Sequence, residues 1–93
     1  MPDLHPIIHQ PARLRIMMIL SGTDSADFTF LEKTLGLTKG NLSAHMARLE
    51  ETGYVEVTKT FRGKMPNTSY RLTSQGRSGL DDYWEAVDAI REG

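Results

Sequence analysis

Apolar residues recur along the chain at two different spacings, which separate helical segments from extended ones. Leu42, Met46 and Leu49, for example, lie at positions i, i+4 and i+7, which share one face of a helix. Val55 and Val57 instead alternate with polar residues, as in a half-buried strand. Taken along the whole chain, the pattern predicts three helices, then a β-hairpin, then a final helix.

Prolines and glycines mark the ends of the first helices. Pro6 and Pro11 each disfavour helix at the residue before them, so any helix across residues 3–9 is short. Pro11 suits the first turn of the next helix, and the pair Ser21-Gly22 ends that helix.

A short helix, a glycine turn and a longer helix come next. The segment Phe28–Phe30 either forms a short strand or leads into the short helix, with Thr29 as its N-cap and Glu32 as the capping-box partner. That helix stops at Gly36, and the longer one starts near Thr38. This order is typical of a helix-turn-helix.

The longer helix, about residues 38–52, has an outer face of small residues. With Leu42 at the centre of the buried face and a step of about 100° per residue, Ala44 and Ala47 point the opposite way. A helix that enters a DNA major groove about 12 Å wide needs such a narrow ridge. An ordinary solvent-facing helix is the alternative. Candidate DNA contacts edge the ridge or lie at the helix N-terminus, which favours phosphate: Lys39, Asn41, Ser43 and Arg48.

His45 lies at the edge of the buried face of the same helix. It can hydrogen-bond locally, contact a phosphate or act as a pH-sensitive group. The favoured interpretation is a structural histidine with a local partner.

The predicted hairpin consists of strands at about 54–61 and 68–72, joined by a polar turn at 62–67. Cationic side chains at 59, 62 and 64 lie at its tip. Because the tip projects from the domain, these side chains cannot contribute to the core. Such a tip can lie along the DNA backbone or place an arginine in a narrow minor groove. A charged, solvated loop is the alternative. The preceding helix-turn-helix favours DNA contacts by Lys59, Arg62 and Lys64.

The charge of the chain is unevenly distributed. The net charge is −1, but residues 38–71 hold six basic and three acidic side chains and residues 72–93 hold two and five. The middle is therefore at +3 and the end at −3. This distribution favours a nucleic-acid partner for the middle segment.

Thr73 or Ser74 caps the final helix, about residues 74–91, which has one apolar and one acidic face. We expect its apolar face to be shared between the core and a two-fold homodimer contact, because Tyr and Trp are favoured interface anchors and a short chain has a modest core. Such a dimer would present the longer helix, about residues 38–52, of each copy to DNA half-sites about one DNA turn apart. The expected dimer contacts are Leu4, Ile7, Ile8, Leu80, Tyr83, Trp84, Val87 and Ile90.

Other features limit the possible functions. Ninety-three residues, 39% hydrophobic and 25% charged, fit a single domain over 1–93. The chain has no cysteine and no apolar run near the roughly 20 residues of a membrane helix, so we expect a cytoplasmic protein without a membrane span. We find no catalytic or metal-ligand motif and expect no enzyme and no cofactor; His5 and His9 are four apart, but Pro6 separates them.

The run from Thr38 to Val57, continued by Lys59–Arg77, resembles the winged-helix core of small MarR/ArsR-type regulators. Pro11–Leu20 is similar to their first core helix, so the resemblance covers about residues 9–80. It implies a mainly α fold with a small β-hairpin, that is, a winged helix-turn-helix with a three-helix core, a two- to three-stranded wing and a C-terminal helix.

The same resemblance implies a dimeric transcriptional regulator that binds double-stranded DNA in a prokaryotic cytoplasm. The chain lacks the long flanking helices of larger members and the cysteine and clustered histidine sites of metal-sensing members. A winged helix that binds a protein instead of DNA is the alternative function, and any small-molecule effector is unknown. The resemblance implies DNA roles for Thr38, Lys39, Asn41, Ser43, Ala44, His45, Arg48, Arg62 and Lys64.

Overall fold

The computed structural model describes residues 4–92. The observed order of elements agrees with the predicted one, with a four-residue helix and a two-residue strand in addition. The elements are α1 (Pro6–His9), α2 (Pro11–Ser21), β1 (Ala26–Asp27), α3 (Phe28–Leu35), α4 (Lys39–Glu51), β2 (Val55–Arg62), β3 (Met65–Leu72) and α5 (Ser74–Glu92).

The core lies where α2, α3 and α4 meet beneath the base of the sheet. Leu31 of α3 and Leu42 and Leu49 of α4 are fully buried, as the helical spacing predicts. From the sheet, Val55 and Tyr70 close the core, and α5 covers it with Leu80 and Tyr83. Within residues 4–92 no polar or charged residue is buried, so apolar side chains fill the interior, and the hydroxyls of the buried Tyr54 and Tyr83 bond to the histidines of the first helical turn and its cap.

The start of α3 differs from the prediction. Asp27 caps this helix, with its Oδ1 accepting a hydrogen bond of 2.8 Å from the Phe30 amide, so the expected cap at Thr29 is wrong. The reason is β1, which pairs Ala26 with Tyr70 and holds Asp27 in the extended conformation that an N-cap requires. The predicted end of the helix is confirmed, because Gly36 has φ 67°.

The sheet is antiparallel, with β3 between β1 and β2. The hairpin turn is shorter than the predicted span 62–67, since only Gly63 and Lys64 lie outside the strands and Gly63 supplies φ 61°. Pro66 fits in β3 because it pairs with Phe61 at a position without ladder hydrogen bonds, next to the closing pair of a two-residue turn. The nitrogen of Pro66 therefore faces away from β2, towards the other edge of β3, at a point that β1 does not reach.

Thr73 joins α5 to the end of α4. Its Oγ1 accepts a hydrogen bond of 3.0 Å from the Gly76 amide and donates one of 2.6 Å to the Gly53 carbonyl. Thr73, and not Ser74, is therefore the cap of α5. Gly76 lies buried against the backbone of Tyr54, so the first turn of α5 sits directly on the chain that enters the hairpin.

We expect Gly76→Ala to lower the free energy of unfolding by about 1–3 kcal/mol, as overpacking does. A methyl group there would overlap the Tyr54 carbonyl oxygen and lie 2.8 Å from Leu72 Cδ1. Urea unfolding followed by circular dichroism measures the loss. Gly22→Ala is the control, because its Cβ would lie 3.6 Å from the nearest atom, at φ −97°. Equal stability of the two variants would contradict the packing described for α5.

Candidate nucleic-acid interface

The ridge of α4 is open to solvent. Leu42, Met46 and Leu49 point into the core, while Ala44 and Ala47 on the opposite side are exposed. A methyl group added at Gly40 would meet no atom within 4 Å, so the first turn is also open to close approach. The small-residue ridge predicted from the sequence therefore lies on the surface.

The N-terminus of α4 is arranged like a phosphate-binding helix start. Thr38 caps it by accepting a hydrogen bond of 3.1 Å from the Asn41 amide. The amides of Lys39 and Gly40 belong to the first turn, where no helical partner exists. The side chains of Lys39, Asn41 and Ser43 are all exposed. This end of α4 offers N–H groups, hydroxyl and amide groups and one full positive charge.

Arg48 is exposed further along α4 and is loosely paired. Its Nη1 lies 3.7 Å from Glu51 Oε1, with the two side chains 53% and 69% exposed. Such a surface pair contributes little to stability. Arg48 can therefore exchange Glu51 for another anion at low cost.

Arg13 of α2 lies against α4, and sequence reasoning did not identify it. Its Nε donates a hydrogen bond of 2.7 Å to the Ile7 carbonyl, and its Nη1 lies 3.3 Å from His45 Nδ1. Because a guanidinium only donates, His45 Nδ1 must accept, which leaves the proton of the neutral ring on Nε2. Burial lowers the pKa of His45, and the charge of Arg13 lowers it further. Burial and then the charge of Arg48 lower the pKa of Arg13.

The three cations of the hairpin do not lie together. Lys59 and Arg62 occupy opposite faces of β2, and Lys64 is in the turn. Arg62 Nη2 lies 3.2 Å from Asp27 Oδ2, so one carboxylate both caps α3 and holds the end of the hairpin. Among residues 4–92, Lys59 and Lys64 have no carboxylate within 4.0 Å.

The expected dimer residues divide into buried and accessible ones. Ile8, Leu80 and Tyr83 belong to the core of the chain itself, and Leu4, Ile7 and Val87 are partly buried against it. Trp84 remains 38% exposed and stands edge-on to Tyr83, with ring centroids 5.3 Å apart, and Ile90 is half-buried. Of the expected dimer residues, Trp84 is therefore the one with an exposed side chain.

The remaining histidines have structural partners. His5 Nε2 lies 3.1 Å from the Tyr54 hydroxyl, and His9 Nδ1 lies 2.9 Å from the Tyr83 hydroxyl. The part of the chain that the structure describes contains no group of three or more acidic or histidine residues placed to hold a metal ion. Nor does any described helix combine the length and apolarity needed to cross a membrane.

Comparison with known proteins identifies the class. A family model described as a winged helix DNA-binding domain matches residues 12–90. An uncharacterised protein of Methanocaldococcus jannaschii is 34% identical over 77 residues, which are 83% of this chain and 84% of that protein. The chain therefore belongs to the winged helix DNA-binding domain family.

Solved structures of similar proteins have the same winged-helix fold. A transcriptional regulator homologue from Pyrococcus horikoshii OT3 is similar with a TM-score of 0.87 and 32% identity, covering 94% of this chain and 86% of that one. The transcriptional repressor CouR, solved on a 23-mer DNA duplex, has a TM-score of 0.76 and 25% identity over 89% and 58% of the two chains. At lower identity, a MarR-family protein from Enterococcus faecalis V583 shares the fold. These neighbours are transcriptional regulators and not enzymes, and CouR was solved on DNA. The MarR-type winged-helix resemblance is confirmed.

We expect Asp27→Asn to keep the stability of the wild type, whereas Asp27→Ala loses about 1 kcal/mol. Asparagine is as good an N-cap as aspartate, and alanine has no acceptor for the Phe30 amide. The ion pair that both variants remove involves an Arg62 side chain that is 73% exposed, so it contributes little. Thermal and urea unfolding measure the stability of the two variants. If the asparagine variant were as unstable as the alanine one, the ion pair and not the cap would be the stabilising contact.

Proposed function

We propose that this chain is a homodimeric, sequence-specific regulator of transcription that binds double-stranded DNA, with α4 in the major groove. The wing, residues 59–71 at the end of the hairpin, lies on the backbone or in the minor groove. The observation that carries this proposal is the exposed ridge of Gly40, Ala44 and Ala47 with cationic side chains on neighbouring elements. The DNA duplex bound by CouR, a protein of the same fold, supports it.

On α4, chemistry separates base contacts from phosphate contacts. Asn41 flanks the ridge and carries the group that pairs bidentately with adenine, and Arg48 on the same flank can either pair with guanine or reach the backbone. Lys39 and the free amides of the first turn suit a phosphate, with Thr38 fixing the turn and Ser43 able to serve either role. Ala44 provides close approach. His45, already bonded to Arg13, is suited to the backbone rather than to bases.

The wing has the composition of a minor-groove or backbone reader. Lys64 occupies the turn, and Arg62 and Lys59 follow on the two faces of β2. Phe61 is 73% and Met65 70% exposed beside these cations. Proteins that enter the minor groove combine basic side chains with such apolar wedges.

The dimer completes the proposal. Trp84 and Ile90 extend an apolar surface on α5, and α1 packs beside it. A two-fold contact through residues 74–91 buries this surface and sets two copies of α4 on one duplex. The acidic side chains of α5 have little effect on binding if they lie more than a Debye length, about 8–10 Å, from the phosphates.

Duplex binding is expected to weaken steeply as salt rises from about 50 to 200 mM. The reason is that the lysine and arginine side chains that bind phosphates release counterions condensed on the DNA. Arg62→Ala combined with Lys64→Ala should reduce the slope of log K against log salt by about one for each phosphate that is no longer neutralised. Fluorescence anisotropy with a labelled duplex measures both. Arg91→Ala, in the last turn of α5, serves as the control and should leave the slope unchanged. Absence of duplex binding even at low salt would favour a winged helix that binds proteins.

For the dimer, we expect Trp84→Ala to raise the dissociation constant by about 30-fold, the effect of truncating an aromatic anchor worth about 2 kcal/mol. Sedimentation equilibrium gives this constant. Phe30→Ala is the matched control, since Phe30 is also an exposed aromatic residue, at 51%. A wild-type chain that sediments as a monomer at the concentrations needed for DNA binding would rule out the dimer.

A further inference from the structure

The two flanks of α4, between its buried face and its ridge, differ in charge. Residues that point about 60–120° to one side of Leu42 form one flank, and residues at the same angles on the other side form the second flank. One flank holds Asn41, His45 and Arg48, and the other holds Lys39, Ser43 and Glu50. The first is therefore basic, whereas the charges of Lys39 and Glu50 offset each other on the second.

These flanks face different parts of the molecule. The other flank lies towards the sheet, because α4 packs against β2, and burial and then the charge of Glu50 raise the pKa of Tyr70 on β3. The basic flank lies towards α2, where Arg13 Nη1 is 3.3 Å from His45 Nδ1. The hairpin and Arg13 therefore stand on opposite sides of α4.

The basic flank carries uncompensated positive charge. Within the described part of the chain, no carboxylate lies within 4.0 Å of the Arg13 guanidinium. Arg48 has Glu51 at 3.7 Å, and both side chains are exposed. The repulsion of Arg48 lowers the pKa of Arg13, in addition to burial. An anion between them would relieve this repulsion.

We propose that Arg13, His45 and Arg48 form a binding site for one backbone phosphate of duplex DNA, on the side of α4 opposite to the wing. The inference rests on the proposed function, because a helix in the major groove has a sugar-phosphate backbone along each flank. Each group retains a donor for the phosphate. Arg13 has Nη2 beyond its bonds to Ile7 and His45, His45 has Nε2–H, and Arg48 can release Glu51.

This site links binding to protonation. Arg13 from α2 is the charged group that faces His45 across the helix contact, and Arg48 lies on the same flank of α4. A phosphate offsets their charge, so the pKa of His45 rises in the complex and a proton is taken up at Nδ1; Arg13 Nη1, which then has no acceptor on the ring, donates to the phosphate instead. Affinity should therefore increase as pH falls from neutrality, and level off below the lowered pKa that His45 has in the free protein.

The test compares Arg13→Gln with Arg15→Gln in the full chain, by salt titration of binding to a specific and to a random duplex. Both changes remove one charge from α2, but Arg15 is exposed about 200° further round the helix. Arg13→Gln should reduce the salt slope by about 0.9 for each phosphate that it ceases to neutralise, and weaken both duplexes alike. Arg15→Gln should change neither. Arg13→Lys, which keeps the charge, should retain most of the slope.

The outcomes are separable. If the wild type shows a steep slope that Arg13→Gln leaves intact, with only its thermal stability lowered, Arg13 is structural and the site is wrong while DNA binding stands. If the wild type does not bind a duplex, the proposed function itself fails. The pKa of His45, followed by NMR, should rise with duplex and not with inorganic phosphate at equal ionic strength. An equal rise with inorganic phosphate would identify a small-anion site and overturn the assignment to DNA.

Discussion

Leu42, Met46 and Leu49 are each at most 1% exposed, and their burial fixes the rotation of α4 about its own axis. Burying a side chain of this size is worth about 1.5–3 kcal/mol, so a rotation that exposed all three would cost most of the stability of a small domain. The ridge of Gly40, Ala44 and Ala47 faces outward as a direct consequence. The candidate interface is thus rigid where it would meet the bases.

A second constraint sets the hairpin relative to the helix-turn-helix. Two residues of β1 pair with β3, and the second of them, Asp27, both caps α3 and holds Arg62. Asp27 therefore connects three elements, α3 and β2 through its carboxylate and β3 through the pairing of its strand. This pairing fixes the base of the hairpin. From residue 59 to residue 68, on the side of the turn, the hairpin has two strands, and no other described strand lies beside them. The wing is thus anchored at its base by strand pairing and near its tip by the exposed ion pair of Arg62 with Asp27.

The features that the sequence predicted are those that depend on near neighbours. The spacing of Leu42, Met46 and Leu49, the cap at Thr38 and the left-handed turn at Gly36 are all local, and all are found. The errors arise where a distant segment decides. Strand β1 has only two residues, too few for a visible alternation, and it exists because β3 pairs with it. That pairing, 42 residues away, moves the cap of α3 from Thr29 to Asp27.

Arg13 shows the same limit for the candidate site. The helical pattern of α2 places Arg13, but not Arg15, on the face of the buried Ile16 and Met17. It does not show that the fold brings Arg13 against His45, 32 residues along the chain. Its position also has a cost, because burial and the charge of Arg48 both disfavour its charged form. The hydrogen bonds of Arg13 to Ile7 and His45 offset part of that cost. An anion bound between Arg13 and Arg48 would offset their repulsion, because no carboxylate of residues 4–92 lies within 4.0 Å of the Arg13 guanidinium.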